Sequence, residues 1–461
     1  MPGIDPSTND LLISPVAEDT FAGKLLEAMP RRGPEIAAIS AARSTGTRFR
    51  RIIERRPTRD LGDARVAGWT YLIAGDDPQR EMIIEILRPL AAQRGMKETA
   101  RPLAFNGEPA DEWLDWMIDH YWTLTPEPPH YILIVGGPDR VPFHFQAVLG
   151  SVAAVGRLAF DALADLQAYV EKVLRLERER AAKVRRQALL FATDRGRPDP
   201  TYYSRRFMAD PIAMHVEAQE VPTIILEAEH ATAQALLSEL TQSHPGIVYT
   251  ASHGAGLPHA TADIQRSLNG AIVCAGDELL SAAEVPDCPV AEGAVMLQFA
   301  CFSAGTPAQS DYAHWLGDDR LNATADFVAA LPSRLLAHPR GPIAFVGHVD
   351  LTWIHAFDDP DDPDAGPDGD RAWHPRLAPF ISAVDTLLEP QPVGLAMKKM
   401  NERYDVGNAH LAVAFDRQKR GTLPDNPEAY GKLVRAFITR SDAQNYLVLG
   451  DPAVYLRMEA P

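Results

Sequence analysis

From Trp69 onward the chain is built of short apolar runs, four to six residues long, separated by amphipathic stretches. No other feature limits its fold as strongly. The runs lie at 69–74, 131–135, 188–192, 223–226, 246–251, 294–299 and 343–346. They are too short for core helices and too uniformly apolar for strands with one wet face. Between several of them lie helical stripes. One is 81–93, with Ile83, Ile84, Ile86, Leu87 and Leu90 on one face; 111–122 and 231–240 are others. Strand and helix in alternation give an α/β fold, a mainly parallel sheet covered on both faces.

A longer helix is expected over 161–186, with a stripe of Leu163, Leu166, Tyr169, Val170, Val173 and Leu174. Its second half is rich in Arg, Lys and Glu, as in a solvated helix bridging two units. Runs at 446–449 and 454–456 read as late strands. The expected organisation is a variable segment at 1–66, a first α/β subdomain at 67–160, a connecting helix at 161–187 and a second unit at 188–461. No repeat of 20–50 residues is present.

The 461 residues are 46% hydrophobic and 23% charged, enough for a large core without disulfides or structural metals. There are three cysteines, Cys274, Cys288 and Cys301. So sparse and odd a set is no disulfide framework, and it fits a reducing compartment. The N-terminus lacks the basic start and apolar run of a secretory signal, and no stretch reaches the roughly 18 apolar residues of a membrane span. The expected location is the cytoplasm. A net charge of -17 makes nucleic acid a poor partner. Two local patches differ from the average: seven arginines within 43–59, on a stretch (37–56) that reads as a solvated basic helix, and seven aspartates within 358–370.

Two of the apolar runs end in reactive side chains. One stops at Ser252-His253-Gly254 and the other at Ala300-Cys301-Phe302-Ser303. In open parallel sheets, ligands bind where the carboxyl ends of the strands open into loops. Each run therefore brings one group to that edge, an imidazole and a thiol, 48 residues apart in sequence. A thiol attacks as its thiolate, which a neighbouring imidazole favours, and the same imidazole can protonate a departing amine. Gly254 has no side chain to block a substrate. The amides of Gly254 and Cys301 are candidates to stabilise an oxyanion.

Other chemistries fit less well. Ser303 is not in a G-x-S-x-G elbow, and no P-loop lysine motif exists. His348 and His355 are separated by six residues, which matches no strong zinc spacing, and His259 reads as a loop residue. The acidic stretch 358–370 supplies the hard oxygens that calcium prefers, but without the spacing of a calcium loop. It reads as a solvated acidic loop, with calcium as the one cofactor to consider.

An apolar block ending in His-Gly, followed by one ending in Ala-Cys, resembles the caspase-like cysteine peptidase superfamily. The gingipain and CHAT-like bacterial branch is the most similar. Three further segments carry that likeness: Ile134-Val135-Gly136-Gly137-Pro138-Asp139-Arg140-Val141-Pro142, Val155-Gly156-Arg157 and Leu449-Gly450-Asp451-Pro452. The chain departs from metacaspases and legumains, which carry an acid just before the cysteine where this one has Gln298-Phe299-Ala300. The resemblance implies a three-layer α/β/α fold of two side-by-side subdomains with catalysis in the second. It implies a cysteine endopeptidase acting through a Cys301–His253 dyad and an acyl-enzyme. It also implies that the end of the 188–192 strand lines the primary specificity pocket, where Asp194 would pair with Arg or Lys. Trp353 is expected to wall the substrate cleft. No third catalytic residue stands out. Bacterial relatives suggest a regulated enzyme of defence or cell death, with a protein substrate and an activating or regulatory protein partner, and if Asp194 selects Arg the arginine-rich 43–59 region is a natural site of self-processing. The alternative is a non-catalytic caspase-like scaffold within a larger complex.

Overall fold

The computed structural model describes residues 4–5, 10–11, 59–124, 127–179, 184–313, 322–358 and 375–459. Most of the 1–66 segment, including the basic stretch 37–56, lies outside these residues. So does the acidic stretch, apart from Asp358.

A sheet of ten strands organises the molecule. Its order is Leu103–Phe105, Trp69–Ala74, Tyr131–Val135, Ala154–Leu158, Tyr446–Leu449, Ala344–His348, Val295–Phe299, Pro245–Ala251, Arg185–Ala192, Thr223–Glu227. Every neighbouring pair is parallel except one. Ala344–His348 and Tyr446–Leu449 run antiparallel, with Phe345 opposite Leu449 and His348 opposite Tyr446. The late strand Tyr446–Leu449 is also parallel to Ala154–Leu158. It therefore seams two parallel half-sheets that point in opposite directions. The expected α/β architecture is present, drawn into one continuous sheet.

Both faces are covered, which is why the strands are apolar without alternation. Tyr71, Ile73, Leu133 and Val135 join a core with Ile83, Leu87 and Leu90 of helix Arg80–Gln93 and Tyr169, Val170 and Val173 of helix Leu163–Arg178. Leu72, Ala74, Ile132 and Ile134 point the other way, onto Trp116, Met117, Tyr121 and Phe145. In the second half, Phe299 meets Phe380 of helix Ala378–Leu388 edge-on, and Phe380 meets Tyr446.

Several expectations need correction. The 111–122 stretch is not one helix. It runs as a 3-10 turn (Ala110–Glu112), an α-turn (Trp113–Trp116) and a π-turn (Met117–Tyr121). The three turns bury Trp116, whose indole donates to Ala104 O at 3.0 Å. Residues 454–456 form no strand. Val454 and Leu456 are buried, but only Tyr455 pairs, in a single bridge with Pro392. The long helix ends at Arg178, and its polar half is only partly solvated, with Arg178 exposed and Lys172 turned inward. Lys172 is fully buried and donates to Leu336 O (2.6 Å) and His338 O (3.0 Å).

The three segments singled out beside His253 and Cys301 are clasps. Arg157 is fully buried, and its guanidinium donates to Gln146 Oε1, Gly136 O and Val141 O at 2.7–2.9 Å. It closes the Gly136–Pro142 loop from beneath. Asp451 is equally buried and accepts from the Trp69 indole (2.9 Å) and Arg94 Nε (2.8 Å). The last strand is thus tied to the first by a charge-assisted bond.

Candidate functional site: a thiol, an imidazole and a carboxylate at one sheet edge

The strands Pro245–Ala251 and Val295–Phe299 are parallel neighbours, in a register that puts Ala251 opposite Phe299. The amide of Ser252 continues that ladder to Phe299 O at 3.2 Å. Two residues further on, His253 and Cys301 leave the sheet side by side, at the edge the sequence predicts. Gly254 shows how close the two segments come. A Cβ built on it would lie 1.8 Å from the carbonyl oxygen of Cys301 and 2.8 Å from its carbonyl carbon. The glycine is therefore required by backbone packing, where the sequence reading gave it access for a substrate.

His253–Gly254 also forms a short antiparallel pairing with Ile272–Val273. Ala255 donates to Ala271 O at 3.0 Å. Hydrogen-bonded pairs alternate along such a ladder, so the Gly254 amide points away from Ile272–Val273.

Sequence reasoning missed the third group. Asp199 places Oδ1 at 2.9 Å and Oδ2 at 3.1 Å from His253 Nε2. The imidazole is fully buried and the carboxylate half-buried, at 17% side-chain exposure. Asp199 is also the N-cap of the short helix Pro200–Ser204 and accepts from the Thr201 amide (2.8 Å) and hydroxyl (2.6 Å). Burial alone would raise its pKa. The hydrogen bonds and charge of His253, together with those from Thr201, outweigh burial and bring the carboxyl down to about 2. A signal for this existed. Asp199-Pro200 is a helix-start dipeptide, and it follows the apolar run that ends at the same sheet edge.

The turn that carries Cys301 is held on its other side by residues just past Ala344–His348. Phe302 has a positive φ of 59°, costly for a side chain of this size, and its amide donates to Asp350 O at 2.8 Å. Ser303 Oγ donates to Gln298 O (3.1 Å) and accepts from the His348 amide (2.8 Å). The Thr352 amide donates to Cys301 Sγ at 3.2 Å, and Thr352 Oγ1 lies 3.5 Å from the same sulfur. Asp350, at φ 73°, anchors this segment. Its carboxylate accepts from Ser310 Oγ and the Asp311 amide, both at 2.8 Å. Burial, and the charge of Asp311 beside it, push that carboxyl above its ordinary value.

Cys301 itself is fully buried, in an apolar cluster with Phe302, Tyr312 and Leu351. Burial pushes the thiol up, and the Thr352 contacts oppose it. Trp353 packs on this cluster from its rim and meets Tyr312 edge-on at 5.1 Å. It lies beside the turn that carries Cys301.

Asp194 faces a protein cation. Arg205 Nε is 2.9 Å from its Oδ2 and reaches Glu227 at 2.7 Å with a second nitrogen. Its other oxygen accepts from the Gly196 amide, a turn-forming contact. His348 is buried between Asp350 O and Asp442 O, each at 3.2 Å from a ring nitrogen. Among the described residues no three His, Cys, Asp or Glu side chains converge as metal ligands do. Among them, too, no helix is long and apolar enough to cross a membrane.

The sequence matches Peptidase family C25 over residues 104–457. No curated protein matches it. Among solved structures it is similar to the complex of the pro- and mature domains of RgpB from Porphyromonas gingivalis, at 14% identity and a TM-score of 0.48, covering 85% of this chain and 81% of that one. It is similar to the Arg-specific cysteine proteinase gingipain R at 12% identity and a TM-score of 0.48, covering 86% and 80%. It also shares 11% identity with the Saccharomyces cerevisiae separase–securin complex, at a TM-score of 0.35, covering 73% of this chain but 16% of that one. The family match spans more than three quarters of the sequence. The chain belongs to Peptidase family C25 and is a cysteine endopeptidase.

Proposed function

We propose that this enzyme cleaves a protein substrate through an acyl-enzyme on Cys301, with His253 as general base and then general acid. Asp199 fixes the imidazole. With Nε2 committed to Asp199, Nδ1 is the nitrogen that exchanges the proton with the thiol and the leaving amine. The Gly254 amide, aimed away from its own ladder, and the Cys301 amide receive the developing oxyanion. The observation that carries this reading is the meeting of a strand-end thiol and an imidazole–carboxylate pair at one edge. Peptide cleavage that disappears in Cys301→Ala and in His253→Ala tests it. Cleavage retained by either variant would overturn it.

For specificity we propose a basic residue before the cut. The support is an acid-rich shelf beside Asp199. Asp194, Asp210 and Glu227 act on one another there, and Arg205 bridges two of them. That bridge shows that the shelf accepts a guanidinium. A substrate Arg or Lys would have to share or displace Arg205. Peptides that differ only in carrying Arg, Lys, Asp or Leu at that position decide it. The basic pair should be cut about tenfold faster or better, and equal rates would refute the preference.

Regulation is part of this reading, supported by the full burial of Cys301 and His253. A thiol walled by Phe302, Tyr312 and Leu351 must be uncovered before a peptide reaches it. A cytoplasmic role in bacterial defence or cell death, and an activating protein partner, rest on the family resemblance. Expressing the wild type and Cys301→Ala in a bacterial host tests that role. Growth arrest confined to the wild type is the expected outcome, and equal growth would count against it.

A further inference from the structure

The sulfur of Cys301 has two kinds of neighbour. Its strand, Val295–Phe299, is flanked by Pro245–Ala251, which leads to His253, and by Ala344–His348, which leads to Thr352. A base therefore approaches from one side of the nucleophile. On the other side stand two groups of a single residue, the Thr352 amide at 3.2 Å and its hydroxyl at 3.5 Å from Sγ.

We infer that Thr352 is a further catalytic residue, whose backbone amide and hydroxyl together hold the Cys301 sulfur and stabilise it as the attacking thiolate. A fully buried thiol resists ionisation because the charged form loses its water. An amide that donates to the sulfur, and a hydroxyl in reach that can turn its proton to a thiolate, replace part of that water. Thr352 is itself fully buried, so its hydroxyl acts where water does not compete. The segment is not free to drift. Asp350, two residues earlier, is tied through its carboxylate to Ser310 and Asp311 and through its carbonyl to the amide of Phe302. The same loop thus fixes both the nucleophile's turn and the donors facing its sulfur.

This inference rests on Cys301 being the nucleophile, so its test reads the thiol as well as turnover. Thr352→Val keeps the shape and the amide and removes only the hydroxyl. In the full-length protein, the rate at which iodoacetamide alkylates Cys301, followed by peptide mass spectrometry, should fall about tenfold, the weight of a hydrogen bond to a charged group. kcat on a cleaved peptide should fall in parallel with KM unchanged. Thr352→Ser, which restores the hydroxyl, should recover most of both. Alkylation of Thr352→Val at the wild-type rate or faster would overturn the assignment, a faster rate meaning that Thr352 restrains the thiol. A Thr352→Ser variant as impaired as Thr352→Val would do the same. If turnover depends on Cys301 while Thr352→Val is fully active, the role of Thr352 fails and the peptidase reading stands.

Discussion

Replacing Asp199 by Asn removes one negative charge from beside His253 while leaving the local backbone its cap. Asn caps a helix as well as Asp does, so the bond from the Thr201 amide survives. What is lost is the charged half of the contact to His253 Nε2 at 2.9 Å. The carboxyl sits at about 2 rather than 3.8. At 1.36 kcal/mol per pKa unit that is a net of about 2 kcal/mol, left after His253 and Thr201 have offset burial. Taking about 1–2 kcal/mol of this for His253 gives roughly fivefold to thirtyfold in rate. This charge matters most when His253 is protonated, as it is once it has taken the thiol proton. We therefore expect Asp199→Asn to lower kcat/KM about fivefold to thirtyfold, mainly through kcat, with a fall in melting temperature of no more than about a few degrees. Initial rates on a peptide cleaved by the wild type, beside a thermal melt, measure both. Activity within twofold of wild type in a natively melting variant would refute the orienting role. A collapse in stability would show that the acid serves the helix start instead.

Other consequences follow from the same geometry. Gly254→Ala places a methyl against the Cys301 carbonyl, 1.8 Å away before relaxation. It should abolish turnover while the far half-sheet still folds, and wild-type kcat/KM would contradict the packing argument. Arg157→Met leaves the carbonyls of Gly136 and Val141 and the Gln146 oxygen without their donor. At about 1–3 kcal/mol for each buried group, offset in part by the apolar replacement, urea unfolding should show a loss of about 3–5 kcal/mol. A loss below about 1 kcal/mol would mean that the clasp is not needed. The depressed Asp199 carboxyl contributes stability above its unfolded pKa of 3.8, and that contribution is lost as pH falls toward about 2. Unfolding free energies at pH 5 and pH 2.5 should therefore differ by less in Asp199→Asn than in the wild type.

What could be read from the sequence follows from how directly a pattern maps onto space. The strands at 69–74, 131–135 and 446–449 were legible to the residue because buried parallel strands are apolar throughout. Their register places His253 beside Cys301, so two run-ending residues were enough to find the edge. The carboxylate was not legible. Asp194 and Asp199 lie five residues apart in one loop, and only the turn decides which reaches the imidazole. The turn gives Asp194 to Gly196 and Arg205, and Asp199 to His253. Thr352 was hidden for a similar reason. It belongs to the site through the loop after Ala344–His348, which no periodicity describes. The helix pair Lys398–Lys419 and Pro427–Gln444 escaped because its apolar positions are sparse, with Met400, Tyr404, Leu411 and Ala414 the buried residues across the first helix.

The whole proposed reaction turns on Cys301 as the nucleophile of a peptidase. A mixed peptide library incubated with the wild type and with Cys301→Ala, with cut sites read by mass spectrometry, tests it most directly. Cleavage by the wild type alone, with Arg or Lys enriched before the cuts, is the expected result. The same cuts made by Cys301→Ala would contradict it.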